Sequence, residues 1–234
     1  MQLLLISNST NAGEAYLEYP REEIRKFLDQ SSKIVFIPFA AVGFSYNTYT
    51  EKVNESLSKA GLKVTGIHTF PDQVKAIKDA DAIMVGGGNT FQLVAELYNQ
   101  NLMEVIRERV VSGVKYVGWS AGSNITCPTL MTTNDMPVTE PKSFKTLNLV
   151  PFQINPHYMD ANPDGHAGET REQRINEFTV LHPEIWVAGL RESTMFLVTN
   201  GSIILKGPKT CRIFKFGKEP LELSTEDDFS FLLN

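Results

Sequence analysis

Short apolar runs alternate with longer stretches of helical period along the first two thirds of the chain. Runs such as Ala82–Gly86 lack polar alternation, which is typical of strands buried on both faces. This order predicts an α/β fold with a mostly parallel sheet and helices on both faces. The predicted strands are Leu3–Ser7, Ile34–Pro38, Leu62–His68, Ala82–Gly86, Tyr116–Trp119 and Leu149–Ile154. The predicted helices are Glu22–Leu28, Tyr49–Ala60, Val74–Lys78, Phe91–Tyr98 and Leu102–Val111.

The pattern changes after about Thr170, where a helix at Glu172–Leu181 precedes several short strands. These strands are predicted at Ile185–Gly189, Met195–Thr199, Ser202–Leu205 and Arg212–Phe216. The pair Asn200-Gly201 indicates a two-residue hairpin, so antiparallel strands are expected near the C-terminus. Because no linker, charge block or repeat interrupts the chain, residues 1–234 are predicted to form a single domain.

The composition narrows the classes of function. The 22 Lys and Arg residues against 27 Asp and Glu residues give a net charge of -5, which argues against nucleic-acid binding. The two cysteines, Cys127 and Cys211, are too few for a disulfide framework and fit a reducing compartment. The start of the chain is predicted to be a buried strand rather than a signal peptide, and no apolar run approaches a membrane span. We therefore expect a cytoplasmic protein, either monomer or homodimer, without membrane partners.

The segment Gly118-Trp119-Ser120-Ala121-Gly122 follows a predicted strand and precedes a short stretch that can begin a helix. A G-x-S-x-G pattern in this context is typical of a nucleophile elbow, in which a strained turn exposes the serine at the sheet edge. Its alternative is a glycine-rich turn that happens to contain a serine. The context favours Ser120 as a nucleophile.

A second glycine-rich turn, Gly86-Gly87-Gly88-Asn89, lies between a strand and a helix. It lacks the GK[ST] of a phosphate loop, and Phe91 replaces the third glycine of a dinucleotide-binding motif. Beside an elbow, the N–H groups of Gly88 and Ala121 are predicted to form an oxyanion hole. The alternative is a tight strand-to-helix connection.

An elbow serine needs a base and a group that orients the base. His157 is predicted at the end of a later strand on the same edge as Ser120, and His166 is the alternative base. For the third member, Asp135 gives the order Ser…Asp…His of α/β-hydrolases, whereas Glu192 follows a strand and gives Ser…His…Glu. Both carboxylates remain candidates, although Asp135 also suits a turn cap before Pro137.

Residues 160–165 match the first half of a calcium loop, with Asp160, Asn162 and Asp164 at alternate positions. The twelfth position is Arg171 rather than a bidentate Glu, so we predict no metal. An Arg at a pocket edge binds a carboxylate with two parallel hydrogen bonds, which makes Arg171 a candidate substrate ligand. Arg174 fits a solvated helix face instead.

With these residues placed, the chain resembles the peptidase E family of α-aspartyl dipeptidases nearly end to end. The matching stretches are LLLISNST, VFIPFA, GGGNTFQL, GWSAGSNI, TTNDMP, QINPH and GETREQRI. The resemblance implies a fold similar to class I glutamine amidotransferases and flavodoxin-like proteins, with serine replacing the elbow cysteine. It also implies a cytoplasmic, cofactor-free serine hydrolase of small acidic dipeptides with N-terminal Asp.

By position, the resemblance makes Ser120 the nucleophile, His157 the base and Arg171 the ligand of the aspartyl side chain. It leaves both Asp135 and Glu192 open as third member. Two rival functions are considered. One is a cyanophycinase-like enzyme for β-linked aspartyl substrates, and the other is a non-catalytic amidotransferase-like module that binds a small acidic metabolite.

Overall fold

A computed structural model of the chain describes residues 1–162, 165 and 167–234. The described strands, β1 to β11 in chain order, are Gln2–Ile6, Ile34–Ile37, Val64–Gly66, Ala82–Val85, Lys115–Trp119, Gln153–Tyr158, Val187–Arg191, Met195–Thr199, Ser202–Lys206, Cys211–Phe214 and Leu221–Leu223. The described α-helices, α1 to α7, are Arg21–Phe27, Tyr46–Leu57, Gln73–Lys78, Thr90–Asn99, Met103–Val111, Ala121–Asn124 and Arg171–Leu181. Each of these helices is too short or too polar to cross a bilayer.

The larger sheet has seven strands in the order β3-β2-β4-β5-β1-β8-β9. The five strands from β3 to β1 are parallel, whereas β8 and β9 are antiparallel to their neighbours. The predicted α/β fold with a mostly parallel sheet is therefore confirmed. Parallel strands end at the same edge of a sheet, so the loops after β1, β4 and β5 come together there.

A smaller sheet has the order β11-β10-β7-β6, in which β6 and β7 are parallel. The expected antiparallel extension is thus divided: β8 and β9 extend the larger sheet, whereas β10 and β11 pair beside β7. The hairpin at Asn200-Gly201 is confirmed. Both residues have positive φ, 52° and 78°, as a type I′ turn requires.

Most predicted strands shift by one or two residues at their ends, as where β7 is Val187–Arg191 rather than Ile185–Gly189, and two differ more. Leu149–Ile154 is wrong for most of its length, because the N–H groups of Leu149 and Val150 both donate to the Thr126 carbonyl and β6 begins only at Gln153. Leu62–His68 shortens to β3, because a 3₁₀ turn begins at Ile67. Leu149, Val150 and Ile67 are buried nonetheless, although their backbone is not in a strand.

The core lies on both faces of the larger sheet. Along β1, Leu3 and Leu5 belong to one buried cluster, whereas Leu4 and Ile6 belong to another. The first cluster continues into β6 and β7 through residues such as Ile154 and Leu190, so the two sheets share a core. Burial of each such side chain contributes about 1.5–3 kcal/mol, which fixes β1 between the two sheets.

Candidate active site

Ser120 lies in a sharp turn between β5 and α6. Its backbone has φ 52° and ψ -114°, a conformation that L-residues rarely adopt. The turn is held because the Ser120 N–H donates to the Ile6 carbonyl at 3.0 Å, at the carboxyl end of β1. The helix that follows has only four residues. The elbow therefore presents the serine hydroxyl at the sheet edge, as the pattern predicts.

The glycines on either side of the elbow are required by close backbone packing. A Cβ at position 118 would lie 2.4 Å from the Gly122 carbonyl oxygen, and a Cβ at position 122 would lie 2.2 Å from the Val85 carbonyl oxygen. Real Cβ atoms do not approach oxygen so closely. The elbow can therefore pack against β4 only when both positions are glycine.

Replacement of Gly122 with alanine is expected to lower the free energy of unfolding by about 2–4 kcal/mol, because backbone must move to admit the methyl group. Chemical denaturation measures this change. Gly43→Ala is the matched control, since no atom of the described residues lies within 4 Å of a Cβ there. Equal stability of the two variants would contradict the packing explanation.

The turn Gly86–Asn89 packs directly against the elbow. A Cβ at position 87 would lie 2.9 Å from the Ser120 Cβ, and Gly88 has φ +135° with the Ala40 carbonyl 2.3 Å from where its Cβ would be. Within the described part of the chain, the N–H groups of Gly88 and Ala121 have no protein acceptor. Two backbone donors beside Ser120 are thus available to a ligand oxygen.

His157 lies at a β-bulge in β6. Pairing with β7 shifts register between Pro156 and Tyr158, and His157 is the extra residue, with φ 54°. The bulge aims the imidazole at the elbow, where Nε2 lies 2.9 Å from Ser120 Oγ. On the other side, Nδ1 lies 2.7 Å from Glu192 Oε1. The alternative base, His166, lies outside the described residues.

Ser7 and Asn8, directly after β1, hold the backbone of His157 and of Ser193, the residue after Glu192. The buried Ser7 hydroxyl accepts from the His157 N–H at 2.9 Å and donates to the Leu190 carbonyl at 2.7 Å. Asn8 Oδ1 accepts from the Ser193 N–H at 2.9 Å, where Ser193 has φ 72°. Sequence reasoning missed both residues, although a polar pair at the carboxyl end of a central parallel strand is a usable signal.

Asp135 lies away from the imidazole. Its carboxylate accepts from the Thr90 N–H at 2.7 Å and the Thr90 hydroxyl at 2.6 Å, and from the Thr133 hydroxyl at 3.0 Å. Thr90 begins α4, so the negative charge is stabilised by the N-terminus of that helix. The geometry therefore places Glu192, and not Asp135, beside His157.

Arg171, Asp135, Asn134 and Asn155 line a cavity of about 150 Å³. Asn134 Nδ2 donates to the Pro156 carbonyl at 2.6 Å, so the cavity adjoins the bulge that carries His157. Burial lowers the pKa of the Arg171 guanidinium, the neighbouring Arg174 lowers it further, and Asp135 opposes both effects. Among the described residues, Arg171 has neither an ion-pair partner nor a hydrogen-bond acceptor. Its positive charge is incompletely balanced, which favours an anionic ligand.

Arg174 also borders the cavity, but its side chain is 58% exposed and lies 3.6 Å from Glu169. This agrees with the solvated face expected for it. Of the calcium-like positions, Asp160 instead pairs with Arg191, and Asp164 lies outside the described residues.

Comparisons with known proteins agree with one another. The family model described as "Peptidase family S51" matches residues 3–206. The chain is 52% identical to "Peptidase E" of Nostoc sp. (strain PCC 7120), covering 99% of this chain and 96% of that protein. It is 48% identical to "Peptidase E" of Salmonella typhimurium, covering 98% and 100%. A crystal structure of a peptidase from an acI-B1 Actinobacterium has the same fold, with a TM-score of 0.71 and 18% identity over 98% of this chain and 96% of that one.

Proposed function

The chain belongs to peptidase family S51 and is a serine-type peptidase, and from that premise we propose that it hydrolyses the α-peptide bond after an N-terminal aspartate in Asp-Xaa dipeptides. The observation that carries the proposal is the array in which His157 lies between Ser120 Oγ at 2.9 Å and Glu192 Oε1 at 2.7 Å. Beside it lies the partly buried guanidinium of Arg171. The first feature suits acyl transfer, and the second suits an acidic substrate.

In the proposed mechanism, His157 Nε2 takes the proton of Ser120 Oγ as the oxygen attacks the carbonyl carbon of the aspartyl residue. Glu192 accepts the Nδ1–H and stabilises the imidazolium that forms. His157 then donates its proton to the leaving amine, and the C–N bond breaks to give an acyl-enzyme. In the second half, His157 takes a proton from water as the water oxygen attacks the ester carbonyl. The bond to Ser120 Oγ then breaks, His157 donates that proton to Ser120 Oγ, and aspartate is released.

The negative oxygen of each tetrahedral intermediate is proposed to bind the N–H groups of Gly88 and Ala121. Ala121 belongs to the elbow, whose backbone is held by the hydrogen bond from the Ser120 N–H to the Ile6 carbonyl at 3.0 Å, so its N–H needs little reorganisation when charge develops. One such donor stabilises the transition state by about 3 kcal/mol. Arg171 is proposed to bind the substrate's side-chain carboxylate with two parallel hydrogen bonds.

The first experiment compares hydrolysis of α-Asp-Leu, β-Asp-Leu, Asn-Leu and Leu-Leu by the intact protein. We expect cleavage of α-Asp-Leu alone. Cleavage of β-Asp-Leu alone would favour the cyanophycinase-like activity. Failure to cleave any of the four, together with no labelling by a fluorophosphonate, would favour the non-catalytic binding module.

A pair of isosteric variants tests the assignment of the third residue. Glu192→Gln is expected to lower kcat by about 10²-fold or more, because the imidazolium loses its charged partner. Asp135→Asn is expected to lower thermal stability, because it weakens the hydrogen bonds to Thr90 at the start of α4. It is also expected to raise KM, because it changes the charge beside Arg171, and to change kcat less than Glu192→Gln does. Steady-state kinetics and thermal unfolding of both variants provide the comparison.

The reverse result would overturn this assignment. If Asp135→Asn lost kcat while Glu192→Gln retained it, the carboxylate that acts on His157 during turnover would be Asp135. That outcome requires a rearrangement, because Asp135 is bonded to Thr90 at 2.7 Å in this structure.

A further inference from the structure

A buried aromatic cluster links the elbow to the turn that carries Gly88. Tyr49, on α2, is only 3% exposed, and its hydroxyl donates to the Gly87 carbonyl at 2.8 Å. Trp119, the residue before Ser120, donates its indole N–H to the hydroxyls of Tyr16 at 3.0 Å and Tyr49 at 3.2 Å. The Tyr16 hydroxyl also donates to Tyr49 at 3.1 Å. Since two neighbours donate to the Tyr49 oxygen, its own proton points to Gly87.

The direction of one carbonyl determines the direction of the next N–H. In a planar trans peptide, the C=O of Gly87 and the N–H of Gly88 point in opposite directions. The hydrogen bond from Tyr49 therefore turns the Gly88 N–H away from the aromatic cluster. We propose that the Tyr49 hydroxyl fixes the orientation of this N–H toward the oxyanion, which makes Tyr49 a positioning residue for the reaction.

The turn needs such a constraint because of its composition. Gly87 and Gly88 carry no side chains, so rotation of the peptide between them meets little steric resistance. The next peptide is held separately, since the Asn89 N–H donates to the Ala40 carbonyl at 2.9 Å. Among the described hydrogen bonds, the one from Tyr49 is the only bond to a protein group that holds the Gly87–Gly88 peptide.

Gly86 leaves the space that the Tyr49 hydroxyl occupies. A Cβ at position 86 would lie 2.7 Å from the Tyr49 hydroxyl oxygen, so only glycine leaves room for it. Burial raises the pKa of Tyr49 to about 12, so the phenol keeps its proton and remains a donor at neutral pH.

This inference rests on the proposed function, because it assigns a role within the same hydrolysis. In Tyr49→Phe, kcat for α-Asp-Leu is expected to fall about 10- to 100-fold, somewhat less than loss of a whole oxyanion donor. KM and inhibition by free aspartate are expected to change less than about threefold, since neither reports the tetrahedral state. An aspartyl aldehyde, which forms a tetrahedral adduct with serine, is expected to bind more weakly by the same factor as the loss in kcat.

Tyr16→Phe is the matched control, because it removes a hydroxyl from the same cluster but not the bond to Gly87. It is expected to keep kcat within about threefold of the parent, because the hydrogen bond from Tyr49 that orients the oxyanion donor remains. If Tyr49→Phe does not fold, 4-fluorophenylalanine at position 49 fills the same space without donating, and 4-aminophenylalanine restores a donor. Loss of kcat with the first and recovery with the second is the expected result.

The outcomes separate the two proposals. In one outcome, the parent enzyme cleaves α-Asp-Leu while Tyr49→Phe keeps the same kcat and the same affinity for the aldehyde. That result would overturn the role of Tyr49 and leave the proposed function standing. A parent enzyme that cleaves none of the dipeptides would overturn the proposed function and the role of Tyr49 with it.

Discussion

Replacement of Ser120 with alanine is expected to lower kcat for α-Asp-Leu by about 10⁴-fold or more, because the acyl-enzyme can no longer form. Binding of the dipeptide is expected to persist, since the Arg171 cavity and the N–H groups of Gly88 and Ala121 remain. The fold is also expected to persist. Among the described residues, Ser120 Oγ bonds only to His157 at 2.9 Å, and the strained φ of 52° affects serine and alanine alike.

Initial rates, a fluorophosphonate label and thermal unfolding together test this expectation. Ser123→Ala is the matched control in the same elbow, because its hydroxyl donates to the Ile6 and Gly118 carbonyls at 2.7 and 2.8 Å. It is expected to lose about 1–3 kcal/mol of stability while it keeps turnover and labelling. Substantial residual turnover in Ser120→Ala would show that another group is the nucleophile.

The elbow was predictable because its chemistry and its packing require the same residues. The glycines at 118 and 122 are required by contacts with adjacent backbone, and the serine between them is required by the reaction, so the five-residue pattern carries both signals. The same holds for Gly88, where a positive φ and a close carbonyl leave room only for glycine. Local patterns of this kind can be recognised without the fold.

The partners of Ser120 depend on tertiary structure to different degrees. His157 was predicted from its place after an apolar run, but the bulge that aims its side chain could not be predicted. The choice between Glu192 and Asp135 also stayed open in the sequence, because it depends on how the smaller sheet meets the larger one. Once β6 and β7 are paired in parallel, Glu192 follows β7 on the same edge as His157.

The hydroxyl groups of Tyr49 and Ser7, which support the site, are the hardest to recognise in the sequence. Tyr49 lies on an amphipathic helix, where a tyrosine resembles any other core residue. Its relevance comes from a single contact with the Gly87 carbonyl, 38 positions away along the chain. Ser7 likewise contacts His157 across 150 positions. Pairs so distant in sequence are created only by the fold.

The specificity proposed for Arg171 follows from its electrostatic environment. Its side chain is partly buried, the neighbouring Arg174 repels it, and Asp135 balances the charge only in part, so the pKa is lowered. Arginine nevertheless stays protonated in proteins. A substrate carboxylate would supply the missing negative charge, whereas the neutral amide of Asn-Leu would leave a partly desolvated cation without a partner. A site built for a hydrogen-bonding group can reject the analogue that lacks it by as much as about 10⁴-fold.

In Arg171→Met, kcat/KM for α-Asp-Leu is therefore expected to fall about 10³-fold, and the preference over Asn-Leu to disappear. Arg171→Lys is expected to show an intermediate loss, because lysine keeps the charge but not the planar pair of donors. Arg107→Met, on the exposed face of α5, removes an equal charge. It is expected to leave both values unchanged, because Arg107 does not line the cavity of Arg171. Competition between α-Asp-Leu and Asn-Leu in one assay measures the preference directly. If Arg171→Met kept that preference, the aspartyl carboxylate would be recognised by another group, and the cavity beside His157 would not be the specificity pocket.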